Sequence, residues 1–399
     1  QIVTLTLTLS FSLGCNGSKK DTKTPKPRNG NGADSGSNKG SGSGSGDLEA
    51  GKAAPRKRHL TEAQIREYLK KDPKSAELHF ALALRLHKKG NLVPAAREYE
   101  TATTLKPGMF QAHFNLGLLY MTQEKWKKAY AAFKEGSLVK PKHFPTAMNM
   151  ALCAVRMGDL DAAQSAYDMA AKAKPDDGKP YFLLGRIREQ KRNYKGAMSA
   201  YDTAIGKGFD SAELRLRRGL ILMTKKKYDE ALVEFQQTVK LDPKNAPAYR
   251  QAGAILVHKK KWAEALPLLQ KAVELDPKKP VTQYNLGLCA LNEKKYKVAE
   301  KALAAAYKID PRNILAQIGW GVAALYNDKL EVGRQNLRQA LKKKRGLWGF
   351  LPGHFNPLVD AKKLKAAVVL LEELVKVRPR RIFKKNLKVL RRRIKKAGN

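Results

Sequence analysis

Between Phe110 and His143 the chain carries two helical blocks separated by a break. Leu116, Gly117 and Tyr120 mark the first block, and Gln123-Glu124-Lys125 interrupts the apolar pattern. Trp126 opens a second block bearing Ala129, Phe133 and Gly136, which Pro141 closes. Gly117 and Ala129 are small enough to let two antiparallel helices approach closely, and the large residues fill the space above and below. The same offsets recur along the chain. The first-helix small residue is Ala83, Gly117, Ala151, Gly185, Gly219, Gly253, Gly287 and Gly321. The second-helix small residue is Ala95, Ala129, Ala163, Ala197, Ala231, Ala265, Ala299 and finally Gly333. Four residues later stands Tyr99, Phe133, Tyr167, Tyr201, Phe235, Leu269, Leu303 or Leu337. Pro73, Pro107, Pro141, Pro175, Pro243, Pro277 and Pro311 share one 34-residue grid, with Phe209 in its one vacancy. A period of that length predicts a solenoid of helix pairs. Each repeat then contacts its neighbours, so the length of 399 residues does not divide into globular domains.

The grid also predicts the ends. Thr61 to Lys71, with Thr61 and Gln64 placed as a capping box, reads as the second helix of an incomplete leading repeat. Pro379 is again on the grid, and Ala367, Leu371 and Leu374 fit a ninth second helix. Its first helix is spoiled by the glycines and prolines of residues 346–357, which predict an ordered loop burying Trp348, Phe350 and Phe355.

This register resembles the tetratricopeptide repeat (TPR), whose pattern is a large-Gly pair, Tyr, Ala, an aromatic, Ala and Pro at these offsets. It covers residues 76–345 as eight repeats. The resemblance implies an all-α fold, a right-handed superhelical solenoid of antiparallel helix pairs. The chain divides into a signal-peptide or lipobox-like segment (1–15), a disordered tether (16–58), the leading half repeat with eight repeats (59–345), and a degenerate ninth repeat with a basic capping helix (346–399). In TPR proteins the concave face is lined by the second, fifth, ninth and twelfth residues of each first helix. Here these include Phe80, Leu84, Phe114, Leu118, Met121, Met148, Leu152, Phe182, Leu216, Leu220, Met223, Tyr284, Leu288, Leu291, Ile318, Val322 and Leu325, interrupted by Arg186 and Arg250. An apolar groove with isolated cations suits an amphipathic helix or extended apolar peptide carrying an occasional carboxylate. It does not match the Lys/Asn carboxylate clamp of chaperone-binding TPR proteins. The competing expectation is that curvature, or the chain's own ends, buries these residues.

Charge adds a second surface. The chain carries 78 Lys+Arg against 36 Asp+Glu, a formal net charge of +42, which attracts anionic polymers, membrane surfaces and acidic proteins. Lysines gather where each first helix turns into the second: Lys88 and Lys89; Lys125, Lys127 and Lys128; Lys191 with Arg192; Lys225, Lys226 and Lys227; Lys259, Lys260 and Lys261; Lys294, Lys295 and Lys297. One such cluster is an ordinary solvated turn, whereas six in register predict a positive strip along one rim. Residues 378–399 add eleven Lys/Arg and no acid, with Phe383, Leu387, Leu390 and Ile394 on one helical face. That pattern is expected to serve a polar-backed solenoid cap, since docking on the ninth repeat needs an apolar stripe; the alternative is a basic amphipathic helix on anionic lipid.

At the other end, residues 1–14 are uncharged and mostly apolar or hydroxylic. They read as a signal-peptide h-region, with an initiator Met and basic residues expected upstream. Leu13-Gly14-Cys15 resembles the end of a bacterial lipobox, with Ser12 where Leu is favoured, so Cys15 is the candidate lipidation site. By the same resemblance, Asn16 favours the outer membrane. The Gly/Ser/Lys-rich stretch after it cannot bury apolar area and would reach about 35 Å as a flexible coil. Cys153 and Cys289 occupy one repeat position four periods apart, too distant for a disulfide, and read as small core residues.

Enzyme constellations are missing. The seven His are scattered, and neither a phosphate-cradling Gly-Lys-Ser/Thr loop nor a His-Glu-x-x-His helix occurs. No catalytic residue, metal or cofactor is expected, and His79 and His113 read as packing residues. The expected function is a non-enzymatic scaffold, membrane-tethered through lipidated Cys15, that holds a protein or peptide partner in the bacterial envelope. The alternative is a binder of lipopolysaccharide, lipid head groups or nucleic acid through the rim and tail. Nucleic acid fits less well, because the aromatics interleaved with the rim lysines, Trp126, Trp262, Tyr194, Tyr228 and Tyr296, fit the turn-packing position of the repeat rather than base stacking; secreted or cytoplasmic placement is the alternative location.

Overall fold

A proline follows most of the second helices one residue after the C-cap. The residue before a proline is pushed out of the helical region. Asp72, Lys106, Lys140, Lys174, Asp242, Asp276, Asp310 and Arg378 all take φ between −129° and −144° and ψ between 81° and 93°. The proline that follows cannot donate a backbone N–H, so the chain leaves the helix axis at the same point in each repeat.

The structure is a computed structural model that describes residues 60–397. Its helices are α1 (Glu62–Lys71), then eight pairs. These are α2 (Ala76–Lys88) with α3 (Leu92–Leu105), α4 (Phe110–Thr122) with α5 (Trp126–Val139), α6 (Phe144–Met157) with α7 (Leu160–Ala173), and α8 (Gly178–Gln190) with α9 (Tyr194–Gly206). There follow α10 (Ala212–Thr224) with α11 (Tyr228–Leu241), α12 (Ala246–His258) with α13 (Trp262–Leu275), α14 (Pro280–Asn292) with α15 (Tyr296–Ile309), and α16 (Ile314–Tyr326) with α17 (Leu330–Lys343). First and second helices each begin at intervals of 34 residues, and each helix packs on the next. Among the described residues all regular structure is helical, and the fold is the all-α solenoid of antiparallel pairs. The expectations for residues 1–58, Cys15 included, lie outside the described residues.

The expected small and large residues meet inside each repeat. Tyr99, Phe133, Tyr201, Phe235, Leu269, Leu303 and Leu337 are all 0% exposed, and Tyr167 is 5%. A Cβ added to Gly185 would fall 2.4 Å from the Tyr201 ring, and one on Gly219 would fall 2.6 Å from Phe235. Glycine there is what lets the paired helices close on a large side chain. Burying each such side chain contributes about 1.5–3 kcal/mol.

The turn inside each pair holds a feature that the sequence pattern did not announce. Positions 90, 124, 158, 192, 226, 260, 294, 328 and 362 all have φ between +54° and +81°. Only Gly90 and Gly158 are glycines; the others are Glu124, Arg192, Lys226, Lys260, Lys294, Asp328 and Lys362. The left-handed residue closes the first helix: the N–H of Lys226 reaches Met223 O and that of Lys227 reaches Leu222 O.

Where Phe209 replaces the grid proline the turn is made differently, whereas at Arg345, also on the grid, Lys344 keeps the extended backbone (φ −148°, ψ 87°) without a proline. Helix α9 stops at Gly206, Gly208 takes φ +79°, and Phe209 stacks on Phe182 with ring centroids 5.1 Å apart. At the leading end, Thr61 and Gln64 form the expected capping box on α1. At the trailing end, the expected loop is more ordered than a loop. Two 3-10 turns (Arg345–Phe350 and Pro352–His354) lead into the short α18 (Phe355–Asp360), which stands in for the spoiled first helix. The guanidinium groups of Arg378 and Arg380 lie over the Trp348 ring, 4.9 and 5.0 Å from its centre. Helix α19 (Leu364–Val377) is the ninth second helix, with Ala367, Leu371 and Leu374 buried as expected. Helix α20 (Arg381–Ala397) packs on it.

Candidate binding surfaces

The residues expected on the inner face do not share one fate. Leu84 and Leu152 are open, at 41% and 37% exposure. Phe80, Phe114, Leu118, Met121, Met148, Leu216, Leu220, Tyr284, Leu288 and Leu291 are half-buried. Phe182, Met223, Ile318, Val322 and Leu325 belong to the core instead. Two causes are visible. Phe209, in the proline vacancy, covers Phe182, and Gly333 lacks the Cβ that would fall 2.5 Å from Leu325, so that leucine moves inward. The accessible apolar surface therefore belongs mainly to first helices α2, α4, α6, α10 and α14.

Half-buried rings are fixed by their neighbours. Phe114 stacks on Phe110 at 5.8 Å and meets His143 edge-on at 5.2 Å. Burial pushes the Tyr284 hydroxyl up to about 12, so the phenol stays protonated and available as a donor.

The two cations of this face differ. Arg186 lies 5.9 Å from the Phe182 ring centre and 3.7 Å from Glu213, so a carboxylate of the chain already answers its charge. Arg250 occupies the repeat position held by Leu216 in α10 and Tyr284 in α14. It is half-buried, and among the described residues it has neither a hydrogen bond nor an ion pair. Burial pulls its pKa below the ordinary arginine value, although Asp276 acts the other way. A guanidinium that has lost water and gained no partner is suited to an anionic group brought by a ligand.

The three arginines of α10, by contrast, are paired inside the chain, in a network the sequence reading missed. Arg215 pairs with Asp210 at 2.7 Å and with Glu234 at 3.3 Å. Arg218 pairs with Glu234 at 3.0 Å and also with Asp202, and Arg217 pairs with Glu189 at 3.3 Å and Glu213 at 3.0 Å. The hydrogen bonds from Arg215 hold the Asp210 carboxyl below its usual range. The available signal was the charged triplet Arg215/Arg217/Arg218 in a first helix whose partner helix carries Glu234.

The rim lysines are partly neutralised by ion pairs. Lys89 pairs with Glu62 at 2.7 Å and Lys191 with Asp161 at 2.6 Å, each an acid of the preceding repeat, and Lys259 does the same with Asp229. Lys227 and Lys261 pair with Glu230 and Glu264 three residues on, both at 2.9 Å. Lys125 and Lys128 sit over the Tyr120 ring. Lys88, Lys127, Lys225, Lys226, Lys260, Lys294 and Lys295 are exposed and without ion pairs among the described residues. The strip is thus interrupted by stitches between repeats.

Other singled-out residues are structural. His113 donates from Nε2 to Pro107 O at 2.8 Å and His79 does so to Pro73 O at 3.1 Å, clasping the proline turns. Burial pushes the Cys153 and Cys289 thiols up to about 11 and about 12. Among the described residues no group of three His, Cys, Asp or Glu side chains gathers to hold a metal, and no helix is long and apolar enough to cross a membrane.

Comparison with known proteins follows the same lines. Two family models, both described as tetratricopeptide repeat, match this chain, one at residues 94–136, 148–213, 199–246 and 216–280 and the other at 256–318. Together they span more than half of the sequence. No curated protein matches the chain significantly. Among solved structures it is similar to YrrB, described as a TPR protein with an unusual peptide-binding site, at 24% identity, TM-score 0.42, covering 46% of this chain and 95% of that one. It is similar to a tetratricopeptide repeat protein of Parabacteroides merdae at 18% identity and TM-score 0.40, covering 62% and 98%. It is also similar to PilF of Pseudomonas aeruginosa at 16% identity and TM-score 0.40, covering 51% and 92%.

Proposed function

Since the chain belongs to the tetratricopeptide repeat family, we propose that it works by docking, as a non-enzymatic scaffold that holds a protein or peptide partner on the inner face of its first helices. The observation that carries this reading is the row Leu216, Arg250 and Tyr284, half-buried at one position of successive repeats, with the guanidinium unpaired. Apolar contact supplies affinity, and a carboxylate of the partner would replace the water that Arg250 has lost. Extended or helical segments with apolar residues and an acidic residue fit best. Peptides selected on the full chain should lose at least about tenfold in affinity on Arg250→Ala, the scale of one charge-assisted hydrogen bond. Phe114→Asp or Leu220→Asp should weaken them as well, without unfolding the protein. Binding indifferent to all three would contradict the reading.

The finer proposal is that the scaffold is tethered in a bacterial envelope, at the outer membrane, through lipid on Cys15. The apolar residues 1–14, Leu13-Gly14-Cys15 and the polar stretch after them support it. Metabolic labelling with a fatty-acid probe tests it. Label should appear on the wild-type protein and vanish in Cys15→Ala; label on neither would remove the tether.

A further inference from the structure

Helix α20 has two unlike sides. Phe383, Leu387 and Leu390 pack into the C-terminal core, where Leu390 is 3% exposed. Its apolar stripe is therefore consumed by docking and the helix caps the solenoid. At 100° per residue, Arg381, Lys385, Lys388, Arg392 and Lys396 fall within an arc of about 80° on the opposite side, spread along about 22 Å of helix. All five are exposed, and among the described residues none has an ion pair. The helix contains no acid, and Arg391, which pairs with Glu372 at 2.8 Å, faces the flank.

The two flanks narrow the choice of ligand. One is a shallow basin of about 460 Å³ lined by Leu387 and the cations Lys384, Lys388, Arg391, Arg392 and Lys395. The other shoulder carries Ile382 and Val389, 54% and 41% exposed beside the cationic stripe. A nucleic acid backbone would use the cations and leave these two side chains in water, and no aromatic stands on this face to stack a base. An anionic lipid surface satisfies both: head-group phosphates meet the stripe and basin, while short aliphatic side chains settle into the interface.

We propose that the outer face of α20 is a docking surface for an anionic lipid membrane, so that the last helix caps the solenoid with one side and binds the bilayer with the other. This goes beyond partner binding in the groove and does not rest on it, nor on lipid at Cys15.

The test uses the full chain with Cys15→Ala, so that no acyl chain contributes, sedimented with phosphatidylcholine vesicles with and without phosphatidylglycerol. Binding should require phosphatidylglycerol and be lost at high salt. Each cation near an anionic leaflet strengthens binding about fivefold, so the triple variant Lys385→Gln, Arg392→Gln and Lys396→Gln should bind about a hundredfold more weakly. The matched rim variant Lys226→Gln, Lys260→Gln and Lys294→Gln removes the same charge and should lose far less. Ile382→Ser should weaken binding while leaving its salt dependence unchanged. Equal loss in both triple variants would overturn the site, because net charge would then explain the binding. Equal binding to uncharged vesicles would overturn it as well. Displacement of the vesicles by a short DNA duplex at equal phosphate concentration would overturn the choice of lipid.

Discussion

His143 shows how a single residue can make the fold sensitive to pH. Its Nδ1 accepts the N–H of Thr146 at 3.3 Å and so caps α6, which requires the neutral ring. Burial, with Lys140 nearby, pulls its pKa below the ordinary value, and burial does the same to His354. The unfolded chain then binds more protons than the folded one below the ordinary histidine pKa. The stability these residues contribute is present above about pH 6.5 and is lost as pH falls through their folded values. Thermal melts at descending pH should show this loss, and His143→Asn, which keeps a capping oxygen, should flatten part of the slope. Packing is also tested at single positions. Gly185→Ala places a methyl against Tyr201, whose hydroxyl is held by Glu189 at 2.7 Å, leaving the ring little room to yield. A cost of about 1–3 kcal/mol is expected by urea denaturation. The chemistry of Arg250 was half legible: its place on the inner face follows from the repeat register, but whether an acid pairs with it depends on how the side chains of neighbouring helices pack.

Among the elements, the turns of each pair were the least legible. Glycine advertises a left-handed residue, and it does so at only two of the nine positions that adopt one. Lys226 and Lys260 enter that region because the closing hydrogen bonds of the first helix demand it, against a steric cost of about 1–2 kcal/mol. Lys226→Gly should therefore stabilise the protein by up to about 1 kcal/mol, less whatever the unfolded chain gains in freedom, whereas Gly158→Lys should destabilise it. A rise in the urea midpoint for the first and a fall for the second is the expected pair of results. The second-helix ends were legible because proline acts locally, through the residue before it. The ninth first helix was not, since Pro352 and Pro357 fall where short 3-10 and helical turns can use them. Helix α20 was read in two ways from one apolar stripe. Its packing on α19 makes it a cap, so truncation after Arg378 should lower the melting temperature.

Across the whole molecule, like charge and stitching oppose each other. The chain carries +42, and many of its acids are committed to pairs between repeats, such as Glu62 with Lys89 and Asp161 with Lys191. Exposed pairs of this kind contribute about 0–1 kcal/mol each. Salt screens repulsion among the remaining cations over about 10 Å at moderate ionic strength, so the melting temperature should rise from low to moderate salt despite the weakening of the stitches. A flat or falling melting temperature would mean the pairs outweigh the repulsion. At this scale the number and phase of the repeats were legible from the sequence alone, because the solenoid is a sum of like units. The identity of the open surface was not, since single departures at Phe209 and Gly333 change which side chains reach it.

The central claim is that the inner face, centred on Arg250, holds a partner segment. Its most direct test is amide hydrogen exchange of the full chain with and without a peptide selected to bind it. Slowed exchange concentrated in the first helices α10, α12 and α14, and abolished by Arg250→Ala, is the predicted result. Protection confined to the rim turns or to α20, unchanged in Arg250→Ala, would contradict it.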